Sequence, residues 1–254
     1  MSFLVTEKRQ GVAILTLNDP TRRNILSGVL CQEIIEAVDA ANSDPDVNAL
    51  IVTGAGSAFC GGADLDDLQA AARGDYDAVQ TVYRSFMAVA NSPLPTIAAV
   101  NGPAVGAGMN LALACDMRIA STNALFDTRF LKIGLHPGGG HSWLLLRAVG
   151  WAQASRMLLG GHSMRGEEAL SNGLVQQLAQ AAQLIDGAID MARPIAAVPR
   201  ELLLRAKASM RLAAMSSHAD TFAHETAEQA WSLGEPAFTE LVTRLQLSLG
   251  ADGK

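Results

Sequence analysis

The chain has 254 residues, 49% of them hydrophobic, and a net charge of −6. Its length fits one large domain or a core with an appendage, its apolar content supports a sizeable core, and its negative balance argues against generic nucleic-acid binding. No run approaches the ~20 apolar residues of a membrane span, and the mixed segment Met1–Gln10 does not read as a signal peptide. The three cysteines, Cys31, Cys60 and Cys115, are odd in number and lack C-x-x-C spacing; they fit a reducing cytosol and small buried thiols, not a disulfide scaffold.

The first strand is expected at Val12–Leu17, an apolar run closed by the turn Asn18-Asp19-Pro20. Leu30, Ile34, Val38 and Ala41 recur at i, i+4, i+8 and i+11, which predicts a helix that stops at Ser43-Asp44-Pro45-Asp46. A second strand, 49–53, ends at Gly54-Ala55-Gly56. A helix over 76–90 breaks at Ser92-Pro93-Leu94-Pro95, and a buried-type strand follows at 96–100. A short apolar helix, Met109–Ala114, leads to a strand at Met117–Ala120. Pro137-Gly138-Gly139-Gly140 reads as a sharp loop before a helix through Leu144-Leu145-Leu146. This alternation predicts an α/β arrangement with parallel strands and short crossovers. From about residue 196 the strand signals vanish, and helices are expected over Glu201–Ala214 and Ala219–Leu233.

Two glycine-rich segments are the candidates for chemistry. Phe59-Cys60-Gly61-Gly62-Ala63-Asp64-Leu65 and Asn101-Gly102-Pro103-Ala104-Val105-Gly106-Ala107-Gly108-Met109-Asn110 each follow an apolar run and open a helix-like pattern. Such junctions present free backbone N–H groups. Two that converge would stabilise negative charge developing on an oxygen. Gly106 and Gly108 do not make a dinucleotide fingerprint, because Leu111 holds the third glycine position. The chain has no P-loop and no G-x-S-x-G elbow, and its five histidines show no metal spacing with cysteines or carboxylates.

The segment 58–65 resembles the "AFCAGADL" motif of the crotonase (enoyl-CoA hydratase/isomerase) superfamily. Ile97–Gly108, with Cys115-Asp116 after it, is similar to that family's "AAVNGxAxGGG…CD" segment. Asp19–Leu26 resembles its "RPxxRNAL" turn, and Gly134–Gly140 its "GLxPxxGG" loop. The four motifs occur in order across nearly the whole chain. The resemblance implies an α/β crotonase-like spiral of ββα units over 1–195 and a helical C-terminal region over 196–254 that builds a homotrimer or a dimer of trimers. It also implies an acyl-coenzyme A thioester as ligand, with no cofactor beyond that coenzyme A, no metal, no nucleic acid and no membrane partner. The oxyanion hole carried over is the N–H of Ala63 and the N–H of Ala107. Arg22, Arg23, Ile25, Gly61, Gly62, Asp64, Leu65, Gly106, Pro137 and Gly138 are carried over as substrate-binding positions.

Family hydratases use two glutamates. The resemblance puts these positions at Asn110 and Phe130, and a third family acid at Gly138. An amide can position water but is no general base near neutral pH, and a phenyl ring cannot move a proton. Hydration by the usual two-glutamate route is therefore not expected, while thioester binding is. His136, in the loop bordering the family's acyl pocket, is the substitute acid/base candidate, weighed evenly against a loop histidine bonded to backbone. His141, at the start of a helix, is a further substitute weighed against a capping or surface role. Asp67 and Tyr83, on segments near the family's pocket mouth, are weighed as further substitutes against ordinary helix-surface residues; Asp64 is expected to cap a helix, and Asp127 to pair with Arg129. Arg200, Lys207 and Arg211 share a helix face that a phosphate would suit. Three functional readings follow: an acyl-CoA-processing enzyme that stabilises a thioester enolate, a non-catalytic acyl-CoA-binding protein, and a structural oligomer with a vestigial pocket and no coenzyme A affinity.

Overall fold

The computed structural model describes residues 2–251. The chain divides into two compact units, one ending at Ala196 and the other beginning at Ala197. The first unit opens with a hairpin of β1 (Leu4–Arg9) and β2 (Val12–Leu17), joined at Gln10 and Gly11, both at positive φ. A two-residue turn of this hand matches the twist of the strands it joins. β1 escapes the sequence reading because only Leu4 of it is buried and its remainder is exposed and partly charged.

The main sheet runs β1-β2-β3-β4-β6-β9, with β3 at Ala49–Gly54, β4 at Thr96–Val100, β6 at Met117–Ser121 and β9 at Gln177–Ala179. Every pairing after the hairpin is parallel. β4 is buried along its whole length, as a strand covered on both faces must be. Ile14, Ile51, Ile97 and Ile119 face α7 (Leu184–Ala196), which packs Leu184, Ala188 and Ala192 against them. Each such buried isoleucine or leucine side chain stabilises the fold by about 1.5–3 kcal/mol. The sequence reading contains no α7.

α1 (Gly28–Ser43) is capped by Ser27, whose hydroxyl accepts from Leu30 N, and it buries Leu30, Ile34, Val38 and Ala41 at the expected spacing. It packs against α3 (Asp77–Asn91), which in turn meets α2 (Leu65–Ala72) and α4 (Ala107–Ala114). α4 thus starts two residues before the expected Met109. A second sheet of β5 (Pro103–Val105), β7 (Leu125–Asp127) and β8 (Met164–Arg165) is absent from the sequence reading. Strands of two or three residues are too short to show a period. α5 (His141–Leu158) bends at Gly150, and α6 (Gly166–Ser171) follows β8. All three cysteines are buried, and burial pushes the thiol of Cys31 up to about 11 and that of Cys60 up to about 12.

The second unit contains α8 (Arg200–Ala213), α9 (His218–Leu233) and α10 (Pro236–Ala251), and no strand among its described residues. Ser217 caps α9 by accepting from Asp220 N. Among all described residues, no helix is long and apolar enough to cross a membrane.

Candidate active site

β3 and β4 run parallel, so the segments leaving their C-terminal ends emerge on the same side of the sheet. The two glycine-rich segments are these exits. They are sewn together by Val105 N donating to Cys60 O (3.0 Å) and Cys60 N donating to Pro103 O (3.1 Å), with a parallel bridge between Cys60 and Ala104. The Asp19–Leu26 turn joins them: Leu26 N donates to Gly62 O and Gly61 N to Arg23 O, both at 2.8 Å.

Gly62 (φ +105°) brings its Cα close to the second segment; a Cβ there would meet Val105 O at 2.8 Å and Ala107 N at 3.8 Å. Gly106 (φ 54°, ψ −116°) turns the chain into α4 from a conformation that L side chains rarely adopt. Ala107 is the first residue of α4, so its N–H has no helical acceptor and lies at the positive end of the helix. Among the described residues neither the Ala63 nor the Ala107 N–H donates to the protein, and both alanines line one cavity.

That cavity measures about 530 Å³ and is walled mainly by apolar side chains, among them Leu68, Val79, Val82 and Phe130. A neighbouring hollow of about 570 Å³ is more polar and carries Arg22, Arg23, Asp64 and Asp66. The two share Gly61, Ala63, Leu65, Val105, Arg129 and Ile133. One continuous channel therefore has an apolar half and a basic half, and Ala63 stands where they meet. Ile25 lies on the basic half, and Gly106 and Gly138 on the apolar half.

Asp64 caps α2 as expected, accepting from Asp66 N at 3.1 Å, and it also binds the Arg22 guanidinium. Arg129 donates to Asp127 at 2.8 Å, the expected pair. Burial would raise the Asp127 carboxyl, but the Arg129 N–H and the Lys132 ammonium outweigh that and hold it low. Asp67 is half-buried on α2 and lines neither hollow; burial, then Asp64 and Asp66, raise its carboxyl. His136 lines the apolar cavity but is exposed, and its Nδ1 bonds to Pro137 O at 2.8 Å. No carboxylate belongs to the described residues lining the apolar cavity.

Neither His141 nor Tyr83 takes the surface role weighed for it. His141 is neither a cap nor a surface residue: it is 1% exposed, at the start of α5. Its Nδ1 stands 2.6 Å from Asn110 Oδ1, and its ring centroid is 4.8 Å from that of Phe130. Asn110 Nδ2 donates to Gly138 O at 3.0 Å. A carbonyl only accepts, so this bond fixes the amide orientation, and His141 Nδ1 must then be the donor. Nε2 is left with its lone pair, buried and without a partner among the described residues. Burial lowers the imidazole from 6.5 to about 4, so it is neutral at ordinary pH. Tyr83 is not a plain surface residue either. It is half-buried, lines the apolar cavity and leans on Phe86, and its hydroxyl occupies the space that a Cβ on Gly138 would need.

Residues 7–232 match the family model described as Enoyl-CoA hydratase/isomerase. The chain belongs to the enoyl-CoA hydratase/isomerase family. A probable enoyl-CoA hydratase of Mycobacterium tuberculosis is 46% identical to this family member over 242 residues, 92% of this chain and 94% of that protein. A 1,2-epoxyphenylacetyl-CoA isomerase of Escherichia coli is 36% identical over 204 residues, 78% of each chain. The crystal structure of an enoyl-CoA hydratase from Polaromonas superposes with a TM-score of 0.90 at 31% identity, covering 96% of this chain and 97% of that one. The architecture is the α/β crotonase fold with C-terminal helices.

The sequence held a signal for Tyr83. Val79, Val82, Tyr83 and Phe86 fall at i, i+3, i+4 and i+7, which puts the tyrosine on the apolar stripe of α3 and not on its polar face. It held none for His141, whose partner Asn110 is 31 residues away on another helix.

Proposed function

We propose that this enoyl-CoA hydratase/isomerase family member binds an acyl-CoA thioester along the channel and stabilises its enolate on the N–H groups of Ala63 and Ala107. The acyl chain takes the apolar half, and the coenzyme A moiety runs over the basic half past Arg22, Arg23 and Ile25. The observation that carries this reading is the pair of unpaired N–H groups, one from each glycine-rich segment, on the wall of one cavity. A thioester oxygen gains negative charge as an enolate forms, and losing one such donor typically costs ~10²–10³ in rate. Coenzyme A enters as part of the substrate.

Asn110, Phe130 and Gly138 hold the positions where the family's carboxylates are placed by the motifs, and the apolar cavity lacks a carboxylate wall. The chemistry proposed is therefore a thioester-enolate reaction other than two-glutamate hydration, with His136 as the proton carrier nearest the cavity mouth. A carrier that binds without turnover is the second reading, favoured by the same missing carboxylates. Exposed Phe222, Phe238, Leu241 and Leu245 on α9 and α10 support assembly of the C-terminal unit into a homotrimer or a dimer of trimers.

Calorimetry with butyryl-CoA, run beside a crotonyl-CoA hydration assay and a wider acyl-CoA turnover screen, tests this. Binding without fast hydration is expected. Fast hydration would refute the exclusion of hydratase chemistry. Absence of binding would refute the site itself, and binding with no turnover of any thioester would leave the carrier.

A further inference from the structure

Arg129 stands in a backbone conformation that a non-glycine residue seldom adopts, φ 59° and ψ −34°. Phe130 N donates to Thr128 O at 2.7 Å, which closes a three-residue turn around Arg129, of the rare and strained hand. Strain of this kind persists only where the surroundings impose it, and it gathers at functional sites. Asp127 imposes it here, accepting from Arg129 N at 2.9 Å and from the guanidinium at 2.8 Å, while Gly106 N donates to Asp127 O at 2.9 Å. Asp127 lies opposite Val105 in the β5–β7 pairing, and a Cβ on Gly106 would lie 3.9 Å from Arg129 Cβ. The turn therefore holds the arginine beside the start of α4. The apolar and basic halves of the channel meet there, and Arg129 lines both.

Among the described residues lining the apolar cavity, Arg129 is the one arginine or lysine. Its charge is not cancelled by Asp127. Lys132 Nζ also reaches that carboxylate, at 3.2 and 3.3 Å, so two cations share one anion. Among the described residues only Nη2 of the guanidinium is bonded, so Nε and Nη1 keep their N–H groups free, and the side chain is 46% exposed. A carboxylate arriving beside it would meet an open fork of donors. On the proposed reading the thioester carbonyl lies at Ala63 and Ala107, and the acyl chain runs on into the apolar half. An anion that meets Arg129 without displacing that chain must branch from the carbon next to the carbonyl. We infer, resting on that placement of the thioester, that Arg129 receives a carboxylate on the second acyl carbon. The ligand class is then the 2-carboxyacyl-CoA thioesters, with their alkyl chain in the apolar half.

An isosteric pair tests it. 2-Carboxybutanoyl-CoA and its amide, 2-carbamoylbutanoyl-CoA, differ by an anionic oxygen for an NH2 group. Against an apolar wall the carboxylate binds more weakly, because its charge loses water and gains nothing. Against a half-exposed guanidinium the sign reverses, and calorimetry on the intact protein at low salt should show the carboxylate binding about threefold to tenfold more tightly. That preference should shrink at high salt. Arg129→Met keeps an unbranched stem and should bring the ratio to one or below. Equal or weaker binding of the carboxylate by the wild type overturns the inference while leaving the acyl-CoA site standing, and so does a preference indifferent to salt. If Arg129→Met weakens both thioesters alike and leaves their ratio unchanged, the guanidinium serves a phosphate of coenzyme A, and the inference falls. If that variant does not fold, the wild-type ratio and its salt dependence decide alone. Failure of both thioesters to bind overturns the acyl-CoA reading itself and this inference with it.

Discussion

Replacing His141 changes how stability responds to acid. The imidazole protonates near 6.5 in the unfolded chain, whereas burial delays this to about 4 in the folded protein. Between those values the unfolded chain holds the extra proton, so acid favours unfolding. The contribution is complete above about 6.5 and falls by ~1.4 kcal/mol per pH unit, for a loss on the order of 3 kcal/mol by pH 4. That is a large share of the 5–15 kcal/mol typical of a folded domain. His141→Gln keeps a donor for Asn110 Oδ1 and cannot titrate. Urea unfolding of both proteins at several pH values between about 7.5 and 4.5 separates this effect from the carboxylates, which are common to the two. Above pH 7 the variant should be the less stable. As the pH falls its deficit should shrink by about 2–3 kcal/mol and can reverse. Stability curves that stay parallel would show that His141 is not buried as a neutral group, and the fixed orientation of Asn110 would fall with it.

Gly106→Ala forces an L side chain into a conformation that typically costs about 1–3 kcal/mol and turns the Ala107 N–H; denaturation should show that loss, and butyryl-CoA affinity should fall about tenfold. Asn110→Glu with Phe130→Glu should create measurable crotonyl-CoA hydration, since the proposed donors, the N–H groups of Ala63 and Ala107, are untouched; a folded, coenzyme A-binding double variant with no gain counts against the placement of those positions. Arg23→Ala should weaken butyryl-CoA binding severalfold at low salt and less at high salt, as expected for an exposed cation on the basic half of the channel; an unchanged affinity removes Arg23 from the coenzyme A path. A chain ending at Ala196 should run as a monomer in light scattering, and a persisting trimer would locate the interface outside α8–α10.

Much of this molecule could be read before it was seen, for identifiable reasons. β2, β3 and β4 are buried apolar runs ended by turn residues, and α1 repeats its apolar positions at helical spacing, so local pattern and tertiary burial agree. The two glycine-rich segments are legible because glycine is required where two backbones approach and where φ is positive, as at Gly62 and Gly106. β1 was hidden because an edge strand with one buried residue has no hydrophobic alternation to show. The small sheet was hidden because its strands are too short for any period. His141 is illegible for a different reason. A histidine at a helix start is ordinarily a surface residue, and only the three-dimensional approach of α5 to α4 places it behind Asn110.

The most direct test of the central claim is the infrared band of a bound thioester carbonyl. Butyryl-CoA labelled with ¹³C at the carbonyl should show its C=O stretch moved to lower frequency when the protein is saturated, because two N–H donors polarise that bond. A saturated complex whose carbonyl band stays at its aqueous position would contradict the account, since the thioester would then lie somewhere other than on Ala63 and Ala107.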